Sequence, residues 1–167
     1  MGELGRQFAG PDRANVLKRL TRAYADEWFA HYNYQFTANI LWGHRSPATI
    51  ALLTRKSTEA FERTNRLAQR MLELGGQPIE KLTDLVEHAT DKPFKLPASM
   101  ADTTAVLKAV LDAERTSVRT YQALHALTRM KDPITAGIAL GFLAAAVHGE
   151  EELERLIGDR AKGMKGT

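Results

Sequence analysis

GGQPIEKLTDLVEHATDKPFKLPASMA, residues 75–101, is the stretch on which the fold turns. It opens on two glycines and carries Pro78, Pro93 and Pro97, so no continuous helix runs through it, although Ile79 to His88 is spaced for one short helix. It is therefore a connection, and its 27 residues are enough to cross the whole length of a helical bundle.

The runs on either side are rich in Ala, Leu, Glu, Arg and Lys, the strong helix formers. Upstream, Ser46-Pro47 supplies an N-cap and a first-turn proline for a helix that ends at Gly75-Gly76, with Ile50, Leu53, Ser57, Ala60, Thr64, Leu67, Met71 and Leu74 on one stripe. Before it, about Asn15 to Trp42 reads as a helix stopped by Gly43, its stripe being Leu17, Leu20, Tyr24, Glu27, His31, Tyr34, Ala38 and Leu41. Downstream, Asp102-Thr-Thr caps a third helix to about Met130, with Leu107, Leu111, Glu114, Val118, Tyr121, His125 and Thr128 in line. Asp132-Pro133 repeats the cap-plus-proline signal for a fourth helix that runs to Ile157 and closes at Gly158. Each helix spans about 40 Å at roughly 1.5 Å per residue. Connections in the order short, long, short give an all-α four-helix bundle of two antiparallel hairpins joined by one long crossover.

The 167 residues suit one domain, read as a basic tail at 1–13, the bundle at 14–158 and a second basic tail at 159–167. Lys and Arg number 23 against 20 Asp and Glu, a net +3, and the excess lies at the ends: residues 1–22 carry +3 and residues 159–167 carry +2. With no cysteine, disulfides, thiolate-bound zinc, iron–sulfur clusters and thiol nucleophiles are excluded, leaving carboxylates and five histidines as metal ligands. No phosphate-binding glycine loop, supported catalytic triad or zinc signature is present. No run approaches about 18 uninterrupted apolar residues and the first residues lack an apolar signal core, so the expectation is a cytoplasmic protein without a membrane partner.

Glu27 and Glu114 interrupt apolar stripes near their middles, and an uncompensated buried carboxylate costs several kcal/mol. Each needs a partner. In one class of four-helix bundle with a single crossover that partner is a pair of irons, held by a Glu from each of two helices and a Glu-x-x-His from each of the others.

Four segments resemble the bacterioferritin and Dps-like branch of the ferritin-like superfamily, especially its short archaeal type: Ala25 to Tyr34, Asn65 to Pro78, Asp112 to Tyr121, and Lys131 to Leu153. The resemblance implies iron storage or protection against peroxide, and assembly as a homo-oligomer from a dimer up to a cage. It also locates departures. The Glu-x-x-His of the second helix falls on Ala60 and Arg63, that of the fourth on Ala146 and Gly149, and the haem-ligating methionine on Phe61, so no haem is expected.

Iron is thus expected, if at all, at a degenerate site. One reading places Arg63 as a built-in cation between Glu27 and Glu114, much as light-chain ferritin subunits keep the bundle without the ligands. Another keeps a mononuclear metal centre at Glu27, Glu114 and His31, which follows Glu27 by four residues on the same face. A third leaves the carboxylates in another buried polar network. Tyr34 and Tyr121 either line the site or fill the core. Glu59 and Glu62 flank Ala60, and His148 and Glu150 flank Gly149, but a slip of one residue turns a helical side chain by about 100°. His44, His88 and His125 have no ligand spacing. The basic ends, multiplied in a cage, would bind DNA through its phosphates without reading sequence. The functional expectation is a non-catalytic cage or scaffold, with a rearranged oxidase and a DNA-binding protein as alternatives.

Overall fold

A computed structural model of the chain describes residues 10–43, 46–90 and 95–163. After a 3-10 turn at Gly10–Asp12, the helices are α1 (Arg13–Ile40), α2 (Ser46–Glu73), the short α3 (Leu82–His88), α4 (Thr103–Thr128) and α5 (Pro133–Gly163). α1 packs along α2 and α4 along α5, α1 also meets α4, and α3 lies against α1 within the crossover. This is the expected pair of hairpins with one long connection, an all-α ferritin-like bundle.

The stops and starts follow local chemistry. Gly75 adopts φ +74°, where residues with a Cβ are strained, and the Gly75 and Gly76 N–H groups donate to the Leu72 and Met71 carbonyls at 2.9 Å, closing α2. Asp102 accepts from the Ala105 N–H at 3.0 Å and Asp132 from the Thr135 N–H at 3.0 Å, so both aspartates cap as their sequence context predicts. Asp132 does more: it is fully buried, and Arg70 Nη2 donates to both its oxygens at 2.9 and 3.0 Å, tying α2 to the start of α5.

Two boundaries differ from expectation. The short helix starts at Leu82 rather than Ile79. α5 passes through Gly158 to Gly163 because Gly158 lacks a positive φ, and Arg160 two residues on donates to Thr103 Oγ1 at 2.6 Å and Thr49 Oγ1 at 2.9 Å. The expected tail at 159–167 therefore begins as helix, with residues 164–167 outside the described residues. Most of the expected 1–13 tail likewise lies outside them, at residues 1–9, and Arg13 is the first residue of α1. By length and composition α5 is long and apolar enough to cross a membrane, yet it forms the fourth wall of the bundle through Ala139, Ala146 and Leu153.

The core divides into two apolar clusters. One gathers Leu20, Tyr24, Leu67, Met71, Leu124 and Ala139; the other gathers Tyr34, Leu53, Leu107, Val110 and Leu153. Glu27, Arg63 and Glu114 come from the stretches of α1, α2 and α4 between the two clusters, and Lys56 stands within the second cluster's stretch of α2, between Leu53 and Ala60.

Candidate functional site

α1 supplies Glu27 and Tyr34, α2 supplies Lys56, Ala60 and Arg63, α4 supplies Glu114 and Tyr121, and α5 supplies Ala146 and Gly149. Glu27 is only 2 % exposed, and its Oε2 lies 2.9 Å from Arg63 Nε. That contact is an ion pair whose alignment falls short of a hydrogen bond, while the Tyr121 hydroxyl donates to Glu27 Oε1. Glu114, 5 % exposed, accepts from Lys56 Nζ at 2.7 Å and from the Tyr34 hydroxyl at 3.2 Å, both on Oε1.

The geometry revises the single-cation arrangement read from the sequence. Arg63 makes its ion pair with Glu27, and the ion-pair partner of Glu114 is Lys56. The guanidinium extends from about two turns further along α2, whereas Lys56, buried to 3 % exposure, faces Glu114 directly. The sequence did carry a signal for Lys56. It stands three residues after Leu53 and four before Ala60, on the face that both share.

His31 does not join the carboxylates. Its Nδ1 is 2.8 Å from Ser57 Oγ and 3.0 Å from the Ser57 carbonyl, and its ring packs against Phe61 at 5.3 Å and Trp28 at 6.0 Å. Four residues on from Glu27 the side chain leans across to α2 rather than inward. Among the described residues no three His, Asp or Glu side chains gather as a metal-binding group. Of the flanking candidates, Glu59 accepts from Arg55 at 2.8 Å and Glu150 from Arg115 at 2.9 Å. Glu59, Glu62 and His148 line a surface cleft of about 310 Å³ between α2 and α5, which also reaches Lys56 and Arg63. His44 lies outside the described residues. His88 ends α3 on the surface, and His125 is half-buried on α4.

Ala60 and Ala146, where the resemblance puts glutamates, are both buried. Gly149 is tighter still: a Cβ built there would lie 2.7 Å from Glu114 Oε2 and 2.8 Å from Lys56 Nζ. Phe61 stacks edge-on against Trp28 at 5.7 Å.

Burial is the largest influence on Glu27 and raises its carboxyl above the ordinary 4.5, against the pull of the Arg63 charge and the Tyr121 hydrogen bond. Burial alone would lower Arg63, but Glu27 first, then Tyr121 and Glu114, hold its guanidinium more firmly protonated than usual. Burial and the neighbouring carboxylates push the Tyr34 and Tyr121 phenols well above 10.0, so both hydroxyls keep their protons and remain donors. The layer consists of two neutralised carboxylates, each steadied by a tyrosine.

Residues 17–162 match the family model described as a ferritin-like domain. The chain is 27% identical over 154 residues to the DNA protection during starvation protein of Pyrococcus furiosus, an alignment covering 92% of this chain and 83% of that protein. Its backbone is similar to a dodecameric thioferritin, the bacterioferritin-related protein of Bacteroides fragilis, with TM-score 0.92 and 24% identity over 99% and 98% of the two chains. It is also similar to Dps from Thermosynechococcus elongatus, with TM-score 0.79 and 19% identity over 86% and 90%. Because the family match runs from the first turns of α1 to the end of α5, the chain belongs to the ferritin-like family.

Proposed function

We propose that this chain is a non-catalytic subunit of the iron-storage and oxidative-protection lineage, a cytoplasmic homo-oligomeric cage or scaffold. The observation that carries this reading is the neutralisation of both core carboxylates by side chains of α2: Arg63 on Glu27 at 2.9 Å and Lys56 on Glu114 at 2.7 Å. The donor set does not fit two irons. A cation arriving at either carboxylate meets a fixed positive charge, the 149 position has no room for an imidazole, and His31 is engaged with Ser57. No oxidation step is therefore assigned to these residues. The assembly component is supported by the dodecameric relative and by apolar side chains left on the outside, among them Tyr32 at 61 % exposure and Trp42 at 61 %.

Anaerobic titration with Fe(II), followed by oxygen uptake, tests the reading. The expected result is no stoichiometric binding and no oxidation above the protein-free rate, together with an assembly that forms in the presence of a chelator. Stoichiometric Fe(II) oxidation lost on Glu27→Gln or Glu114→Gln would instead establish the rival metal-dependent oxidase built on those carboxylates and His31.

A second reading, non-specific DNA binding, is favoured by the name of the Pyrococcus furiosus relative and by a run of cations on α1. Lys18, Arg19 and Arg22 line one surface cleft, and Arg19, Arg22 and Arg119 line the next. Arg160, expected in a basic tail, bonds threonines instead, so the supporting charge is on the helical body as well as the ends. Gel shifts that weaken steeply between 50 and 200 mM salt are the expected outcome. Shifts unchanged by salt and by Arg19→Ala/Arg22→Ala/Arg119→Ala would refute it.

A further inference from the structure

Glu114 and Lys56 are 6 % and 4 % exposed at their side chains, in contact at 2.7 Å, and the Tyr34 hydroxyl donates to the same carboxylate oxygen. Gly149 faces this group from α5. A Cβ there would stand 2.7 Å from Glu114 Oε2 and 2.8 Å from Lys56 Nζ, closer than non-bonded carbons come to such atoms, and a tight 3.1 Å from Glu114 Cδ. The obstructing atoms are the carboxylate and ammonium ends of the pair itself, so a larger residue at 149 fits only by displacing one or both of them from their present positions. The α2–α5 cleft of about 310 Å³ is lined by Lys56 and Gly149 themselves, with Glu59, Glu62 and Glu152 among its other walls. Arg55, paired with Glu59 and Glu152, and Arg63 complete its charged lining, and the cleft reaches from solvent to Lys56 and Gly149, the two residues that touch or face Glu114.

We infer that Lys56 and Gly149 form one unit that makes the Glu114 half of the core a cation cradle with a built-in ammonium, open through the α2–α5 cleft to an external cation once that ammonium is removed. A buried carboxylate requires a positive partner at hydrogen-bond distance. Lysine meets the requirement as a compact charge with three donors on a flexible stem, and so it can approach one oxygen end-on where space is narrow. Gly149 provides that space. The same geometry predicts that a Cβ at position 149 disturbs the Glu114–Lys56 pair, because it presses on both partners at once. The inference rests on the non-catalytic reading in one respect, that the ammonium is the permanent occupant.

The test uses the full chain at one fixed protein concentration: wild type, Lys56→Ala, Gly149→Ala and the double variant, melted in methylammonium chloride and in sodium chloride of equal ionic strength. Each single variant is expected to lower Tm by on the order of 10 °C. The double variant should melt no lower than the worse single one, since both lose the same ion pair. Methylammonium should recover part of the loss in Lys56→Ala and leave wild type unmoved. Additive losses, or an unchanged Tm in Gly149→Ala, would overturn the unit; indifference of Lys56→Ala to methylammonium would overturn the cradle. If Lys56→Ala yields no folded protein, Lys56→Ala/Glu114→Gln, which removes both charges, is expected to fold and to ignore the amine, and failure of that variant to fold also overturns the inference. Iron oxidation by wild type would sink the non-catalytic reading, a result separate from the pairwise coupling of melting temperatures.

Discussion

Glu27 is held between burial, which favours its protonated form, and Arg63, which favours the charged one; burial prevails and the carboxyl titrates above 4.5. The sign of the pH dependence follows. As pH rises from 4.5 through the raised native value, the unfolded chain has already lost this proton and the native protein gives it up late, so the contribution of Glu27 to stability falls with rising pH. Urea melts across that window should show a more negative slope in wild type than in Glu27→Gln; an equal or more positive wild-type slope would contradict the assignment. Arg63→Ala leaves Glu27 buried without its cation and is expected to lower stability by about 3–5 kcal/mol in the same melts. The carboxylates were legible because charged residues on apolar stripes stand out, and Arg63 because the family resemblance places a histidine at its position. Lys56 was passed over although it shares the face of Leu53 and Ala60, since a lysine on a helix ordinarily carries its ammonium to water, and its partner across the bundle is what holds this one inward.

Among the elements, helix ends were read well where the signal is local. Asp102, Asp132 and Gly75 act within three or four residues of their own position, and the chain's short-range chemistry is enough to specify them. Gly158 was misread because a glycine stops a helix only when the backbone turns left-handed there, and Arg160 keeps α5 going. Nothing lies within 4 Å of a Cβ at 158, so Gly158→Ala should stabilise the protein by about 0.5–1 kcal/mol, measured as a higher urea midpoint. A loss would mean that α5 is interrupted there. Asp132→Ala removes the α5 cap and the buried carboxylate partner of Arg70, leaving it Glu73 and Thr135, and a loss of about 3 kcal/mol is expected. Asp132 was recognised as a cap from its place before Pro133; its bond to Arg70, 62 residues earlier, was not.

Over the whole molecule, the exposed side chains describe what the bundle leaves unfinished. Tyr32 and Phe36 stack on the outside of α1 with ring centres 5.8 Å apart, and Leu82 and Val86 of α3 are likewise exposed. If a second copy covers this face, Tyr32→Glu/Phe36→Glu should shift the mass seen by sedimentation towards the 18.6 kDa monomer without lowering helix content. An unchanged assembly would place the interface elsewhere. The order of helices and the length of the crossover follow from residue spacing, because period, caps and breakers act over a turn or two of chain. Which cation meets which carboxylate does not. Lys56 and Glu114 are 58 residues apart, and their meeting depends on how α2 and α4 are rotated about their axes and on the space that Gly149 leaves on α5. Those are properties of packed helices, set when three separate surfaces come together.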